Sequence, residues 1–196
     1  MILGLTGAIG SGKSTALTAF AEAGAVVFDA DRMCHECYAD PRSPLVTALA
    51  QRWGDIFDEA GMVDRRKIGA IVFRNDAELA FLTSHLYPEL RRRLREVCDR
   101  MRQHPEQLTV IEIPLLFEEH FETMVDAVAA LWCDPEIRHR RLLGRGLDEA
   151  EIQRRESRQM PAAAKWEAAD YGLVNNGSPE FLKKQCRDLA DQLQKD

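Results

Sequence analysis

The sequence has no long apolar run and no recognisable leader segment. Among its 196 residues, no apolar stretch approaches the roughly 20 residues that a membrane-spanning helix needs. The chain passes almost directly into the apolar segment Ile2 to Leu5, which is typical of a buried strand, so we expect no secretory or transit peptide. These two absences predict a cytoplasmic protein with no membrane association.

An excess of positive charge is also absent. The 26 lysines and arginines are outnumbered by 32 aspartates and glutamates, which leaves a net charge of −6. Proteins that bind nucleic acid usually present a basic surface, so we expect no nucleic-acid partner. A hydrophobic content of 45% is ordinary for a globular chain.

The cysteines do not form a metal-binding or disulfide pattern. There are five, an odd number that is typical of reduced thiols in a cytosolic protein. Cys34 and Cys37 have C-x-x-C spacing, but no second such pair and no histidine pair at zinc-finger spacing follows. We therefore expect two small residues near one helix face, and neither zinc nor redox chemistry.

The most informative segment runs from Gly7 to Ser14 and matches the pattern G-x-x-x-x-G-K-[ST] at every fixed position. Its glycines allow successive N–H groups to turn toward a phosphate, and a helix beginning near Lys13 would add its positive end. Lys13 supplies a charge for the outer phosphates, while the hydroxyl of Ser14 can coordinate magnesium. The alternative, a simple glycine-rich turn, is disfavoured by the flanking strand and helix patterns. The candidate nucleotide-binding residues here are Gly10, Ser11, Gly12, Lys13, Ser14 and Thr15.

Acidic residues stand at the predicted ends of two strands. Asp29 and Asp31 end the second, and because ligands of open α/β sheets bind beyond the carboxyl ends of strands, they suit metal positioning or general-base work. We expect both on one pleat face, with Asp31 as base, although capping of the next helix is an alternative role. Glu112 ends the third strand, where a magnesium-binding carboxylate would stand, and Glu118 is the next candidate.

The apolar segments predict an α/β core with an inserted helical region. The β-type segments are 2–5, 25–29, 108–113, 125–132 and 169–174, and the first two flank a helix at 13–23. Residues 32–104 look helical, with Pro88 interrupting the longest helix, and an insertion of this kind usually holds a substrate. The predicted core comprises 1–31, 105–134 and 166–196.

The segment 135–165 is rich in arginine. Arg141 and Arg145 are expected one turn apart on a helix, so that they can face one ligand. A lid closing over a triphosphate fits this segment, and a solvated, charged helical hairpin is the alternative. The arginines of the segment are Arg138, Arg140, Arg141, Arg145, Arg154, Arg155 and Arg158.

Taken together, these motifs resemble the dephospho-coenzyme A kinase family nearly from end to end. The resemblance is carried by the phosphate loop, Asp29-Ala30-Asp31 and Pro114-Leu115-Leu116-Phe117-Glu118. It continues through Arg155-x-x-x-Gln159-Met160-Pro161 and closes with Asn175-Asn176-Gly177-Ser178. The phosphate loop alone is shared by many families, whereas the combination is specific.

The resemblance implies a nucleotide-kinase-like core with a five-stranded parallel sheet, a helical coenzyme A domain at 32–104 and a helical lid at 135–165. It implies transfer of the γ-phosphoryl of ATP, with Mg²⁺, to the ribose 3′-hydroxyl of dephospho-coenzyme A. Asp31 would be the base, and Arg141 and Arg145 match the lid arginines. Lys13, Arg141 and Asn175 would contact the nucleotide, while Ser14 and Glu112 would hold the metal.

Two positions depart from the family pattern. Tyr87 precedes Pro88 where the family commonly has histidine, and Gly146 follows the second lid arginine where an acidic residue is frequent. The alternatives are another small kinase acting on a nucleoside, nucleotide or sugar, and a nucleotide-binding switch. A guanine site typically uses Asn-Lys-x-Asp, and no Asn-Lys occurs in the sequence. Between oligomeric states we favour a monomer.

Overall fold

A five-stranded parallel sheet lies at the centre of the fold, in the strand order β2-β3-β1-β4-β5. The computed structural model describes residues 1–72 and 75–194, so positions 73, 74, 195 and 196 of the predicted ranges 32–104 and 166–196 lie outside the described residues. The sheet confirms the predicted fold class. The strands are β1 (Ile2–Gly7), β2 (Val26–Asp29), β3 (Thr109–Glu112), β4 (Ala127–Trp132) and β5 (Tyr171–Val174).

Helices connect and follow the strands. Several begin where a cap was readable in the sequence: Ser43 accepts from the N–H of Val46, and Ser178 accepts from that of Phe181. The helices are α1 (Lys13–Glu22), α2 (Ala30–Glu36), α3 (Pro44–Trp53), α4 (Arg65–Val72), α5 (Asp76–Met101), α6 (Pro135–Leu143), α7 (Glu149–Glu156), α8 (Ala162–Ala168) and α9 (Pro179–Leu193), with a 3₁₀ turn at Glu122–Met124. None of the described helices has the length and apolarity to span a membrane.

The chain divides into two compact units, Met1–Asp29 with Val97–Asp196, and Ala30–Glu96. In the first unit, α1 and α9 pack together against the sheet, and their buried side chains share one core with the strands. Phe20 and Leu182 are completely buried there. Because β1 and β3 are buried along their whole length, their sequences do not alternate between apolar and polar residues.

The second unit has its own apolar core, built around Val46, Leu49 and Ile56. Glu78 on α5 accepts a hydrogen bond from the indole Nε1 of Trp53 at 2.7 Å and pairs with Arg52, which fastens α5 to the end of α3. This unit is helical, as the apolar spacing of the sequence predicts.

The prediction that Pro88 interrupts the long helix is wrong. Helix α5 runs without a break from Asp76 to Met101, with Pro88 inside it. A proline removes one N–H and crowds the preceding turn, at a cost of about 3 kcal/mol. Leu86, Leu90 and Leu94 are all nearly fully buried, and this apolar stripe on both sides of Pro88 holds the helix together by tertiary packing.

Candidate active site

The phosphate loop lies between β1 and α1, at the carboxyl end of the middle strand of the sheet. Strand β1 has β3 on one side and β4 on the other, so the loop stands where the strand order reverses, the usual ligand position in open α/β sheets. Gly10 and Gly12 have φ of 79° and 98°, backbone conformations that favour glycine. The structure therefore forms the turn that the glycine spacing predicts.

Helix α1 presents an open N-terminus to this loop. Its N-cap is Gly12, and within the described part of the chain no side chain caps it and no acidic residue occupies its first turn. The first amides of a helix carry partial positive charge and bind anions when left without a side-chain cap. Ser14 and Thr15 in this turn are exposed, as residues that meet a ligand would be.

Lys13 is folded against the loop that it follows. Its side chain is largely buried, and Nζ donates hydrogen bonds to the carbonyl oxygens of Gly7 at 3.0 Å and Ala8 at 3.3 Å. These contacts hold the cation beside the loop backbone. That Lys13 meets the outer phosphates of a nucleotide, as its position in the motif predicts, stays a prediction.

Asn175, at the end of β5, is brought to the phosphate loop by the fold. Its buried amide donates to the carbonyl oxygen of Ser11 at 2.7 Å. A Cβ at Gly12 would lie only 2.1 Å from Nδ2 of Asn175, so this loop position admits only glycine for steric as well as conformational reasons. The sequence indicates both residues, but not their contact.

Arg141 joins the same network. Its Nη2 donates to the carbonyl oxygen of Asn175 at 3.2 Å, and its Nη1 lies 3.4 Å from the Sγ of Cys133. Burial raises the pKa of the Cys133 thiol, against the opposing effect of Arg141, so the thiol stays protonated and donates to the Asn175 carbonyl at 3.3 Å. Cys133 was not identified as a site residue, because a buried cysteine gives no sequence signal of its partners.

Arg145 differs from its predicted setting. Helix α6 ends at Leu143 with Gly144 as C-cap, so Arg145 lies beyond the helix and not one turn from Arg141 on the same helix face. Its backbone N–H bonds to the carbonyl of Leu142 at 3.0 Å, within the turn, and its side chain is exposed. Gly144 keeps helical backbone angles, and the left-handed residue that closes the turn is Gly146, with φ of 82°.

The acidic residues are placed differently from one another. Asp29 and Glu112 are register partners on β2 and β3, and Glu112 is buried to 8% exposure at the strand end. Asp31 lies within the first turn of α2, so the expectation that it shares a pleat face with Asp29 is wrong. The strand ends at Asp29 because the helix begins with the very next residue.

The oxygen donors of this edge suit magnesium. The ion takes hard oxygen ligands and is usually held by one or two protein side chains together with substrate phosphates. Ser14 offers a hydroxyl in the first turn of α1, and Glu112 offers a carboxylate at the end of the neighbouring strand β3. The described residues contain no cluster of three or more His, Cys, Asp or Glu side chains arranged to hold a metal.

Glu118, the second carboxylate candidate, forms a buried ion pair. Lys165 on α8 is completely buried, and its Nζ lies 2.8 Å from Glu118 Oε1 and 2.6 Å from the carbonyl oxygen of Pro114. Burial lowers the pKa of Lys165, while Glu118 acts in the opposite direction. The carboxylate also accepts from the N–H of Met160 at 2.7 Å. Glu118 therefore fastens three segments together, a role that the sequence did not indicate.

Two further side chains reach the phosphate loop. The side chain of Gln159 accepts a hydrogen bond from the N–H of Ile9, and Arg138 donates one to the carbonyl oxygen of Ile9. The sequence indicates Arg138 only as one of several lid arginines and Gln159 only as part of a motif. Their common partner becomes visible only in the folded chain.

The parallel sheet of order β2-β3-β1-β4-β5 and the loop after β1 define a P-loop nucleotide-binding enzyme. The family model described as "Dephospho-CoA kinase" matches residues 1–180 of this chain. The chain belongs to this kinase family, as the resemblance of its motifs predicts.

Individual relatives extend over nearly the whole chain. The dephospho-CoA kinase of Leptospira interrogans is 34% identical over 194 residues, which cover 98% of this chain and 92% of the relative. A crystal structure of a Thermus thermophilus protein has a TM-score of 0.79 and 32% identity, covering 98% of this chain and 97% of that one. The dephospho-CoA kinase structure from Campylobacter jejuni, with 22% identity, a TM-score of 0.77 and coverage of 99% and 97%, shares the fold.

Proposed function

We propose that this chain transfers the γ-phosphoryl group of ATP to the ribose 3′-hydroxyl of dephospho-coenzyme A, the last step of coenzyme A synthesis. The bond between the 3′-oxygen and the γ-phosphorus forms while the bond to the β-phosphate oxygen breaks, and ADP leaves. The family match over residues 1–180 carries this proposal. The phosphate loop, with its buried lysine and open helix end, supplies the chemistry that the donor requires.

The nucleotide phosphates bind to the loop and the first turn of α1. The backbone N–H groups from Gly10 to Thr15 surround the phosphates, and Lys13 places its charge on the β- and γ-phosphates. Ser14 and Glu112 would hold Mg²⁺, and the bound ion would supply positive charge against the charge that develops on the transferred group. Preorganised positive groups of this kind are the main source of rate enhancement in phosphoryl transfer.

Asp31 is the general base of the proposed reaction. An alcohol is a weak nucleophile, and a carboxylate at hydrogen-bond distance orients it and accepts its proton as the new bond forms. Asp31 lies in the first turn of α2, two residues beyond the end of β2. Its place in the Asp29-Ala30-Asp31 motif is what assigns it this role, with Asp29 as the competing carboxylate.

Arg141, Arg145 and Asn175 complete the nucleotide site. Arg141 and Asn175 hydrogen-bond to each other, and Asn175 bonds to the phosphate loop, which supports their assignment to the nucleotide. Arg145 follows on an exposed turn and reaches the triphosphate when the segment 135–165 closes as a lid. The helical segment 32–104 binds the acceptor, and the protein acts as a cytoplasmic monomer.

The proposal is tested by assaying ADP formation with ATP and Mg²⁺ in the presence of dephospho-coenzyme A, shikimate, a nucleoside or no acceptor. Only dephospho-coenzyme A is expected to stimulate turnover strongly, and the product should lose its new phosphate to a 3′-nucleotidase. Stimulation by another acceptor instead would assign the chain to a different small kinase. Hydrolysis that no acceptor changes would indicate a nucleotide switch.

A further inference from the structure

The peptide groups flanking Ile9, at the tip of the phosphate loop, are held on both sides by side chains from one later segment of the chain. The N–H of Ile9 donates to Oε1 of Gln159 at 2.8 Å, and its carbonyl oxygen accepts from Nη1 of Arg138 at 3.2 Å. Ile9 is 150 residues from Gln159 and 129 from Arg138 along the chain. Neither bond belongs to a secondary-structure ladder.

The two side chains come from opposite ends of the helical pair α6 and α7. Arg138 is on α6 and Gln159 follows the end of α7. The same Nη1 of Arg138 also contacts Oε1 of Glu156 on α7 at 2.7 Å, and His139 on α6 lies 2.8 Å from Glu149 on α7. The pair is therefore braced as one body, and both of its bonds to Ile9 depend on where that body lies.

The contact with α6 continues into the next residue of the loop. A Cβ at Gly10 would lie 3.1 Å from Cγ of Leu142 and 3.2 Å from the carbonyl oxygen of Arg138. The loop tip is thus seated directly on α6. Arg138 is itself largely buried, with its side chain 11% exposed, so its bond to Ile9 is shielded from water.

The hydrogen bonds to Ile9 determine which amides of the loop can bind phosphate. An N–H that already donates to Gln159 does not donate to a phosphate, so the cradle is formed by the amides from Gly10 onward. The direction of those amides follows from the two fixed peptides that precede them. A displacement of α6 and α7 would turn the cradle, and a bound triphosphate would in turn favour the braced position.

We propose that Arg138 and Gln159 are positioning residues that couple the α6–α7 pair to the phosphate loop and thereby set the affinity for the nucleotide. The proposal deepens the proposed function, since it concerns the donor half of that site. Neither residue touches the reacting atoms. Both act through the backbone of Ile9, and they should affect the donor and not the acceptor.

The test compares Gln159→Met, Arg138→Met and the double variant with the wild-type protein. Methionine keeps the length of the side chain but lacks the amide oxygen or the guanidinium. We expect each single variant to raise the KM for ATP and the calorimetric Kd for ADP about 10-fold, the scale of one lost hydrogen bond to a buried group. The KM for dephospho-coenzyme A should stay within about two-fold of the wild-type value, because the substitutions alter the phosphate loop and do not loosen the rest of the protein.

Matched controls separate this effect from general damage. Gln153→Met on the exposed part of α7 and Arg187→Met on the exposed face of α9 make the same chemical changes away from the loop. Arg138→Lys retains a cationic donor and should recover much of the ADP affinity. The double variant should be little worse than the more severe single one, because both side chains act on the same backbone segment.

Three results would overturn the inference: unchanged ADP affinity in both folded single variants, equal rises in the KM for both substrates, or fully additive losses. Circular dichroism identifies any variant that fails to fold, and Arg138→Lys then provides the comparison. ADP binding needs no acceptor, so it tests the coupling separately from the activity. A wild-type protein inactive toward dephospho-coenzyme A, with variants that still lose ADP affinity, would overturn the proposed function alone.

Discussion

The side-chain amide of Asn175 donates a hydrogen bond to the backbone carbonyl oxygen of Ser11 over 2.7 Å. These residues are 164 positions apart, and their bond fastens the end of β5 to the phosphate loop. The backbone carbonyl oxygen of the same asparagine accepts a hydrogen bond from Arg141. The loop that holds the phosphates is therefore supported from the far end of the chain.

Replacing Asn175 with aspartate should weaken nucleotide binding. A carboxylate cannot donate to the Ser11 carbonyl and repels it, which leaves a buried acceptor unpaired at a cost of about 1–3 kcal/mol. We expect the Kd for ATP, measured by calorimetry, to rise roughly 10- to 100-fold on that basis. Asn176→Asp is the matched control, because within the described part of the chain the Asn176 side chain uses its oxygen alone, as acceptor from the N–H of Asp134. Equal effects of the two variants would contradict this prediction.

Lys13→Met should abolish most phosphoryl transfer. Methionine preserves the apolar stem that packs against the loop and removes the charge that we propose meets the β- and γ-phosphates, so kcat should fall by at least about 10²-fold. Lys183→Met, which removes a half-buried lysine paired with Glu22, should leave kcat unchanged. Steady-state kinetics at saturating substrates measure both. Near-native turnover of Lys13→Met would remove the phosphate-loop assignment.

Replacing Arg141 or Arg145 should impair the use of the same substrate, but the two substitutions should differ in their effect on the stability of the protein. Arg141→Ala and Arg145→Ala should each raise the KM for ATP more than the KM for dephospho-coenzyme A, because both are assigned to the nucleotide. Only Arg141→Ala should also lower the free energy of unfolding, by about 1 kcal/mol, because it bonds to Asn175. If only the KM of the acceptor rises, these arginines belong to the acceptor site.

Asp31→Asn should retain ATP binding and cut turnover by roughly 10²–10⁴-fold, the usual effect of losing a general base. The amide has nearly the same shape but cannot accept the proton of the hydroxyl. Asp29→Asn, at the end of β2, should cost less. Turnover of both variants at saturating substrates decides the assignment. An active Asp31→Asn with an inactive Asp29→Asn would exchange the two roles, and full activity of both would direct the search to Glu112.

Lys165→Met should strongly destabilise the first unit. It leaves the Glu118 carboxylate without its cation in a buried site, which costs about 3–5 kcal/mol. Adding Glu118→Gln should restore part of the loss, because the neutral amide oxygen still accepts from Met160. Urea unfolding gives the comparison, with Lys184→Met of an exposed pair as control, expected within about 0.5 kcal/mol. No recovery in the double variant would contradict the ion-pair account.

Much of the fold was readable from local patterns. The apolar strands, the glycine spacing of the phosphate loop and the capping residues Ser43 and Ser178 each depend on neighbours within one turn or one strand. The observed bounds of the strands and helices differ from the predicted ones by one to several residues, because the ends of these elements depend on what packs against them. The family also followed from short motifs, which the comparisons confirmed.

The error at Pro88 arose where a local preference met tertiary packing. Pro88 disfavours a helix, yet the buried leucines around it keep α5 continuous. Asp31 lies in a helix that begins at Ala30, directly after the strand, and Arg145 lies past the end of α6 at Leu143. These last two errors concern where a helix begins or ends, which short patterns locate only to within a few residues.

The sequence by itself determined the phosphate loop, its lysine and serine, and the order of strands and helices, because these depend on backbone geometry over a few residues. Only the tertiary structure decided what holds that loop in place. Asn175 on Ser11, Arg138 and Gln159 on Ile9, and Lys165 on Glu118 join distant segments. Hydrogen bonds and buried ion pairs have a range of a few ångströms, so their partners are settled only when the sheet brings the ends of its strands together.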